Sequence, residues 1–325
     1  MIAELLVFAL FQAAPTAETA PPPREVAPGV HLIAGSFYEG RGPDGNTVII
    51  EAPDGLIVVD TGRHAWYSDA ILAFAHARGA PISAIFNTHW HLDHASGNRR
   101  LRAVFPDAPV YTSNAIDRAL TPEGFLGMNR NEARLQAMLD DPNTSDIQRY
   151  EILNGRATMA APEHLRPTIA LERSQRMRIA GRRLDVRVTQ SAVTDADVWI
   201  YDRRTRVAVL GDLVTFPSPL FESACPNGWR RALDEVWATP FRVAIPGHGS
   251  PMTRDEFNTY RLAFGAFIDC VLSEAEAAAC VSAWTEGVAR FIPAEATAEN
   301  ARAYAEYYVG FLRNNGGKGQ TCLAD

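Results

Sequence analysis

The sequence predicts an α+β fold, built from one main domain with appended segments. Short apolar runs bounded by Gly, Pro, Asn or Asp predict strands, and they alternate with segments in which apolar residues recur at helical spacing. After residue 253 only helical patterns remain. A chain of 325 residues, 47% of them hydrophobic, can bury a substantial core. These observations favour a sheet-based domain followed by a helical extension.

The chain divides into three parts on this basis. Residues 1–28 are predicted to be a signal peptide and a Pro-rich linker, 29–252 the main domain, and 253–325 a C-terminal helical extension packed on that domain. Within the domain, a polar stretch at about 113–167, punctuated by Pro and Asn, separates two strand-rich sections. We predict that this stretch is a helical insert bordering the active-site groove.

Each element of the domain has its own signal in the sequence. Continuous apolar runs predict strands covered on both faces, at residues 29–35, 46–51, 56–60, 84–86, 167–171, 177–180, 184–190, 198–201, 207–210 and 243–245. Helical spacing predicts helices at 68–78, 95–105 and 297–312. Gly79 is a natural stop for the first of these, and capping-box patterns open two further helices, at Thr253-x-x-Glu256 and Ser273-x-x-Glu276. Three apolar side chains of the insert either line a substrate pocket or form a satellite core: Phe125, Met128 and Met138.

The N-terminus and the cysteines favour export. The apolar segment from Leu5 to Ala14 has the length of the hydrophobic part of a secretory signal, although Glu4 precedes it and no Ala-x-Ala site follows. The alternative is a disordered or mis-assigned start. Four cysteines fit an exported protein with one or two disulfides, and Cys270 and Cys280 flank a break between two predicted helices that they would staple. Free buried thiols are the alternative, but we expect a periplasmic or secreted protein.

Composition argues against two classes of partner. The formal net charge is −7 and no basic face is visible, so nucleic-acid binding is not expected. No apolar run reaches the roughly 18 to 20 residues that a membrane-spanning helix needs. We therefore expect neither a nucleic acid nor a membrane span. The sequence leaves the oligomeric state open.

The stretch after the predicted strand at 84–86 concentrates metal-binding chemistry. His89, His91, Asp93 and His94 fall within six positions, and neutral imidazoles with a carboxylate are ligands that zinc prefers. On a loop, neighbouring side chains can turn to different sides and so serve two ions. The alternative is a His-rich surface turn, which would not account for the preceding apolar strand.

This pattern, His-x-His-x-Asp-His after a strand, resembles the signature of the metallo-β-lactamase superfamily, a set of mostly zinc-dependent hydrolases. The resemblance implies a four-layer αβ/βα sandwich of two mixed sheets with helices outside. It also implies that Asp212, after the strand at 207–210, bridges two metal ions and that His248 binds the second. Asp60, in Val-Asp-Thr-Gly, would support the metal loop from behind, and Asp93 would couple metal binding to the orientation of the attacking water.

One ligand that the resemblance implies is missing. The superfamily supplies a further histidine before a strand, and Val193, within Ser191–Trp199, occupies that position; its isopropyl group cannot coordinate a metal. The first site would keep His89, His91 and a share of Asp212. The second would keep a full set: Asp93, His94, Asp212 and His248. Three outcomes stay open: a single zinc in the second site, two zinc ions with water or substrate filling the gap, or an inactive relative.

We therefore predict a zinc-dependent hydrolase that acts on a small-molecule substrate and holds one or two Zn²⁺ ions. A metal-bound hydroxide would attack the carbonyl of an ester, lactone, thioester or amide, with β-lactams among the candidates. Asp93 is the predicted catalytic carboxylate. The alternative is a catalytically inactive binding protein of the same fold that uses the insert and the C-terminal helices as its interface.

Overall fold

Two mixed β-sheets lie at the centre of the molecule, which the computed structural model describes over residues 19–128, 130–292 and 295–323. The predicted signal segment at 5–14 lies outside the described residues. The first sheet follows chain order: β1 (Arg24–Ala27), β2 (Val30–Ile33), β3 (Thr47–Ala52), β4 (Gly55–Val59), β5 (Ile82–Phe86), β6 (Val110–Thr112) and β7 (Ile169–Ala170). Strands β1 to β4 are antiparallel neighbours, and β4 to β7 are parallel.

The second sheet comes from the later half of the chain. Its strands are β8 (Gln175–Ile179), β9 (Arg182–Gln190), β10 (Ala196–Asp202), β11 (Val207–Gly211), β12 (Val243–Pro246) and β13 (Met252–Thr253). They lie side by side in chain order, with β8 and β13 at the edges. Only β11 and β12 run parallel, and the other neighbouring pairs are antiparallel.

Helices connect the strands and continue the chain beyond β13. They are α1 (Ala65–Arg78), α2 (Leu92–Ala95), α3 (Asn98–Val104), α4 (Ala115–Ala119), α5 (Phe125–Met128), α6 (Glu132–Asp140), α7 (Asp146–Met159), α8 (Pro226–Ala238), α9 (Arg254–Val271), α10 (Ala277–Val288) and α11 (Glu295–Asn314). Helices α4 to α7 belong to the insert between β6 and β7. In the part of the chain that the structure describes, no helix combines the length and apolar character needed to cross a membrane.

Three buried apolar layers hold these parts together. The two sheets face each other through side chains such as Ile57 and Ile200. Helix α1 packs Ile71 against the outer face of the first sheet, and helices α8 to α11 cover the second through large rings such as Trp229 and Trp284. Each such fully buried side chain contributes about 1.5 to 3 kcal/mol to stability. The four-layer αβ/βα sandwich that the resemblance implies is confirmed.

Two predicted stretches near the N-terminal half differ from the structure. Residues 24–27, assigned to the linker, form the edge strand β1 and pair with β2. Of the helix predicted at 95–105, only residues 98–104 form a continuous helix, α3, because a turn at residues 96–97 separates it from the short helix α2. A Cβ at Gly97 would lie 2.2 Å from the carbonyl oxygen of Thr61, so the close backbone approach excludes any side chain there.

The two predicted capping boxes have different outcomes. Thr253 and Glu256 form a complete capping box at the start of α9, as predicted. The prediction for Ser273 is wrong: its Oγ donates a hydrogen bond to the carbonyl of Cys270, and α10 begins only after Glu276. Ser273 therefore caps the C-terminal end of α9 and is not the N-cap of α10.

Two disulfides form among the four cysteines. Cys270–Cys280 staples α9 to α10, which confirms the predicted pairing. Cys225–Cys322 joins residues 97 positions apart and ties the start of α8 to the C-terminal segment. In the insert, Phe125 packs against a small cluster that includes Trp90, and both residues also line a small cavity, so Phe125 agrees with both the satellite-core and the pocket interpretation. Met128 is 47% exposed.

Candidate metal centre

Four strand ends meet at one edge of the sandwich, and the predicted site residues lie there. Asp60 follows β4, and the motif from His89 to His94 follows β5. In the second sheet Asp212 follows β11, and His248 lies just beyond β12. Because β4 and β5 are parallel, as are β11 and β12, their carboxyl ends fall on the same side in each sheet. The carboxyl ends of parallel strands are a common location for ligand sites in α/β proteins.

The four side chains predicted for the second site form a tight, buried cluster. His94 Nε2 lies 3.2 Å from Asp212 Oδ1, 3.4 Å from Asp93 Oδ2 and 3.3 Å from His248 Nε2. Asp93 Oδ2 is also 2.9 Å from His248 Nε2. His89 joins the edge of the cluster, with its Nε2 3.7 Å from Asp212 Oδ2. Side chains of the motif, in which Asp93 and His94 lie on the short helix α2, and of two distant strand ends therefore point into a single small volume.

Asp60 holds His94 in place from behind. Its carboxylate accepts hydrogen bonds from His94 Nδ1, from the Thr88 amide and from Thr88 Oγ1, each at 2.8 Å. Asp60 has a positive φ of 59°, a conformation uncommon for residues other than glycine, which aims its side chain back at the motif. With Nδ1 committed to Asp60, His94 presents only Nε2 to the cluster.

The backbone of Gly45 lies close to the His94 ring. A Cβ at this position would lie 2.4 Å from His94 Cε1, closer than any real contact. The Gly45 amide also donates to the carbonyl of Asp93 at 3.0 Å. The ring of His94 is thus wedged between Asp60 and Gly45.

The charges of the cluster favour a bound cation. Burial lowers the pKa of His89 well below its usual value, and the neighbouring His94 and His91 lower it further, so its imidazole is neutral. Burial alone would raise the pKa of Asp93, but His94 and His248 hold it well below its usual range. Three carboxylates, those of Asp60, Asp93 and Asp212, converge on His94. Burial alone would lower the pKa of His94, but these three carboxylates raise it well above its usual value, so the cluster attracts positive charge. A divalent metal ion would supply that charge in place of the proton, because metal ligands must be deprotonated.

The residues present fit a zinc ion. Among the described residues, His89 Nε2 is fully buried and has no hydrogen-bond partner. Buried polar atoms are normally paired or coordinate a metal. Two candidate ligand groups share His94: one with His89 and Asp212, the other with Asp93 and His248. Because the single Nε2 of His94 can bind only one ion, both groups cannot be filled through it at once. The nitrogen and carboxylate donors suit zinc.

The first site is incomplete at two positions, His91 and Val193. His91 Nε2 is 3.2 Å from Ser223 Oγ, and His91 is in neither candidate ligand group found among the described residues. The same Ser223 hydroxyl donates to the carbonyl of Val193 at 3.0 Å. Val193 is 1% exposed and packs in the apolar core against the C-terminal helices. Ser223 has no local sequence signal, and only the folded chain brings it to this site.

Comparisons with known proteins agree with this geometry. The model of the family described as the metallo-beta-lactamase superfamily matches residues 40–248. A linear primary-alkylsulfatase from a Pseudomonas species is 27% identical over 225 residues, which are 64% of this chain and 42% of the relative. A hydroxyacylglutathione hydrolase from a Synechococcus species is 46% identical over 55 residues, 17% of this chain and 21% of the relative. The chain spans less than half the length of these curated relatives.

Solved structures share the fold at low sequence identity. The sec-alkylsulfatase Pisa1 from a Pseudomonas species has a TM-score of 0.57 at 18% identity, covering 91% of this chain and 51% of that chain. A metallo-beta-lactamase family protein from Thermus thermophilus has a TM-score of 0.56 at 19% identity, covering 90% of this chain and 95% of that chain. The family match spans most of the chain and includes all strands that carry the site. The chain therefore belongs to the metallo-β-lactamase superfamily.

Proposed function

We propose that the chain is a zinc-dependent hydrolase that uses one metal ion to cleave an ester, lactone, thioester or amide. The supporting observation is the buried convergence of the second-site side chains: Asp93, His94, Asp212 and His248. When bound, zinc acts as a Lewis acid and brings the pKa of a coordinated water to about 7. The absence of an imidazole at position 193 is the reason to propose one ion rather than two.

Residues of the chain would position the attacking water and the ligand His94 around that ion. The Asp93 side chain is 13% exposed, whereas that of His94 is fully buried, so the Asp93 carboxylate lies on the accessible side of the cluster. We assign to this carboxylate the role of accepting a hydrogen bond from the attacking water and orienting it towards the substrate. Asp60 keeps His94 in one tautomer, and Thr88 keeps Asp60 in place.

A second candidate substrate class is a sulfate ester. Two alkylsulfatases match roughly two thirds of this chain, at 64% and 68%. The hydroxyacylglutathione hydrolases match only short segments of 35 to 55 residues, so they support the metal chemistry more than a thioester substrate. Sulfate esters therefore belong in the same substrate panel as the carbonyl compounds.

A panel of substrates tests the proposal. Protein loaded with zinc is assayed on a nitrophenyl ester, a lactone, a glutathione thioester, a β-lactam and an alkyl sulfate. We expect turnover of at least one, lost in His94→Ala and kept in His31→Ala. His31 is a matched control because it is a buried histidine that pairs with Glu51, outside the metal centre. Bound zinc without turnover of any compound would favour the alternative, a non-catalytic binding protein.

Restoring the missing imidazole tests the number of ions. Zinc content and hydrolysis of Val193→His are compared with those of the parent chain. We expect one zinc per parent chain. If the parent binds no zinc and only Val193→His does, the one-metal proposal is wrong.

We also propose that the protein is exported to the periplasm or secreted. The two disulfides support this, because such bonds persist mainly in oxidising compartments. Cell fractionation with a C-terminal tag tests it. Accumulation of the tagged chain in the cytosol, with its thiols reduced, would contradict the proposal.

A further inference from the structure

A short hairpin borders the metal centre. We call residues 36–44 the metal-side hairpin; it is closed by paired backbone hydrogen bonds between Ser36 and Asp44, at 3.2 and 3.0 Å. The ring of Phe37, on this hairpin, lies 5.1 Å from that of His248. The residue that follows the hairpin is Gly45, which contacts the His94 ring. Any movement of the hairpin would therefore change the contacts of two candidate ligands, His248 and His94.

The tip of the metal-side hairpin is held by the insert. Glu151, on α7, accepts a hydrogen bond from the Gly42 amide at 3.1 Å and another from Arg41 Nη1 at 3.2 Å. The Arg41 guanidinium also lies 5.0 Å above the ring of Tyr150 on the same helix. These contacts join residues more than 100 positions apart in the chain, between the hairpin and an insert helix.

The base of the metal-side hairpin is tied to the same glutamate through a buried histidine. His64 is 1% exposed, with Nδ1 2.5 Å from Asp44 Oδ2 and Nε2 2.8 Å from Glu151 Oε1. A ring nitrogen facing a carboxylate on each side makes His64 a doubly protonated cation. Its ring stacks on Trp66 at 4.2 Å, and Asp44 also accepts the Arg63 amide at 2.6 Å.

We infer that Glu151 is a positioning residue: through His64 and Asp44 it makes α7 of the insert the support that holds the metal-side hairpin over the metal centre. The insert thereby governs how substrate reaches the metal and how readily the metal leaves. The part of this inference that concerns substrate rests on the proposed function. The part that concerns the hairpin and the metal does not.

Hydrogen exchange tests the support directly. Glu151→Gln keeps the side-chain size but removes the charge that pairs with His64, Arg41 and Arg63. We expect amide exchange across residues 36–44 to become about tenfold faster, as for a segment whose local opening is favoured. The matched control is Glu132→Gln, which removes a half-exposed glutamate paired with Arg156 in the same insert. Exchange of the hairpin should stay at the parent rate in this control. Equal exchange rates in Glu151→Gln and the parent would overturn the inference.

The parent chain gives an independent test should Glu151→Gln not fold. At low denaturant, residues 36–44 and α7 should lose exchange protection together, because each supports the other. Loss of protection in the hairpin while α7 stays protected would overturn the inference.

The link to the metal centre needs its own readouts. In Glu151→Gln we expect zinc loss to a chelator to be about threefold to tenfold faster, and KM for an accepted substrate to rise about tenfold with kcat nearly unchanged. If the hairpin exchanges faster in Glu151→Gln while the rate of zinc loss and KM both stay at the parent values, the proposed link between the hairpin and the metal centre is wrong. If no substrate of the panel is turned over, the proposed function fails, while the exchange and zinc-loss results still decide this inference.

Discussion

Replacing Gly45 by alanine adds one methyl group at the point where the backbone touches His94. The new Cβ would lie 2.4 Å from Cε1, 2.7 Å from Nδ1 and 2.8 Å from Nε2 of the His94 ring. Ordinary carbon contacts are about 3.5 to 4.0 Å, so the ring and the backbone must separate by about 1 Å. The ring cannot retreat easily, because Asp60 holds Nδ1 at 2.8 Å. Either His94 leaves its position or the Gly45 backbone moves and loses its hydrogen bond to Asp93.

Changes to the groups that orient a metal ligand typically cost about tenfold to 100-fold in metal affinity or activity, and displacement of the ligand ring itself belongs at the upper end of that range. For Gly45→Ala we therefore expect zinc affinity to fall about 100-fold, or about 2.7 kcal/mol. Competition with a chromophoric zinc chelator measures this, and circular dichroism verifies that the variant is folded. The matched control is Gly310→Ala on α11, where an added Cβ meets nothing within 4 Å. If Gly45→Ala folds and binds zinc as tightly as the control, the claim that Gly45 and Asp60 together fix the position of the His94 ring is wrong.

Three further predictions concern other contacts. Asp60→Asn removes the charge that orients His94, so we expect about tenfold to 100-fold weaker zinc binding in the same competition assay, and unchanged affinity would contradict it. Cys322→Ser opens the disulfide to Cys225, which spans 97 residues, and should lower the free energy of unfolding by about 4 to 5 kcal/mol in denaturant titrations; a loss under about 1 kcal/mol would be inconsistent with this. Burial would lower the pKa of His64, but its two carboxylate partners raise it above its usual value. The stabilisation of the folded state by protonated His64 is therefore complete below pH about 6.5 and is lost as the pH rises through the higher folded-state pKa. The stability difference between the parent and His64→Gln should shrink accordingly from pH 6 to alkaline pH, and a constant difference would be evidence against it.

The parts of the fold and site with local sequence signals could be predicted. Apolar runs marked the strands that carry the site, and the motif from His89 to His94 followed its strand as expected. Asp212 and His248 each follow such a run, but it was the resemblance to the superfamily that singled them out, and the structure brings both to the cluster around His94. Parallel pairing then explains why strand ends from distant segments meet. These predictions succeeded because residue type and strand period are properties of short stretches.

The contacts made across the fold had no such signal. Glu151 reaches Gly42 and His64 only because the insert folds back over the first sheet, and no local pattern relates positions so far apart. Ser223 is brought to His91 by a loop after β11. Gly45 looks like any loop glycine until the His94 ring is placed against it. The error at Ser273 has a similar cause, because its hydroxyl bonds backwards to the end of α9, an alternative that a capping-box pattern does not distinguish.

Titration of metal-stripped protein with zinc tests the central claim most directly. Zinc is added stepwise while hydrolysis of an accepted substrate and bound metal are followed together. If one ion is held by the cluster around His94, both signals should rise in proportion and level off at one zinc per chain, and His94→Ala should show neither. Activity that requires a second equivalent, or that persists without zinc, would contradict the account.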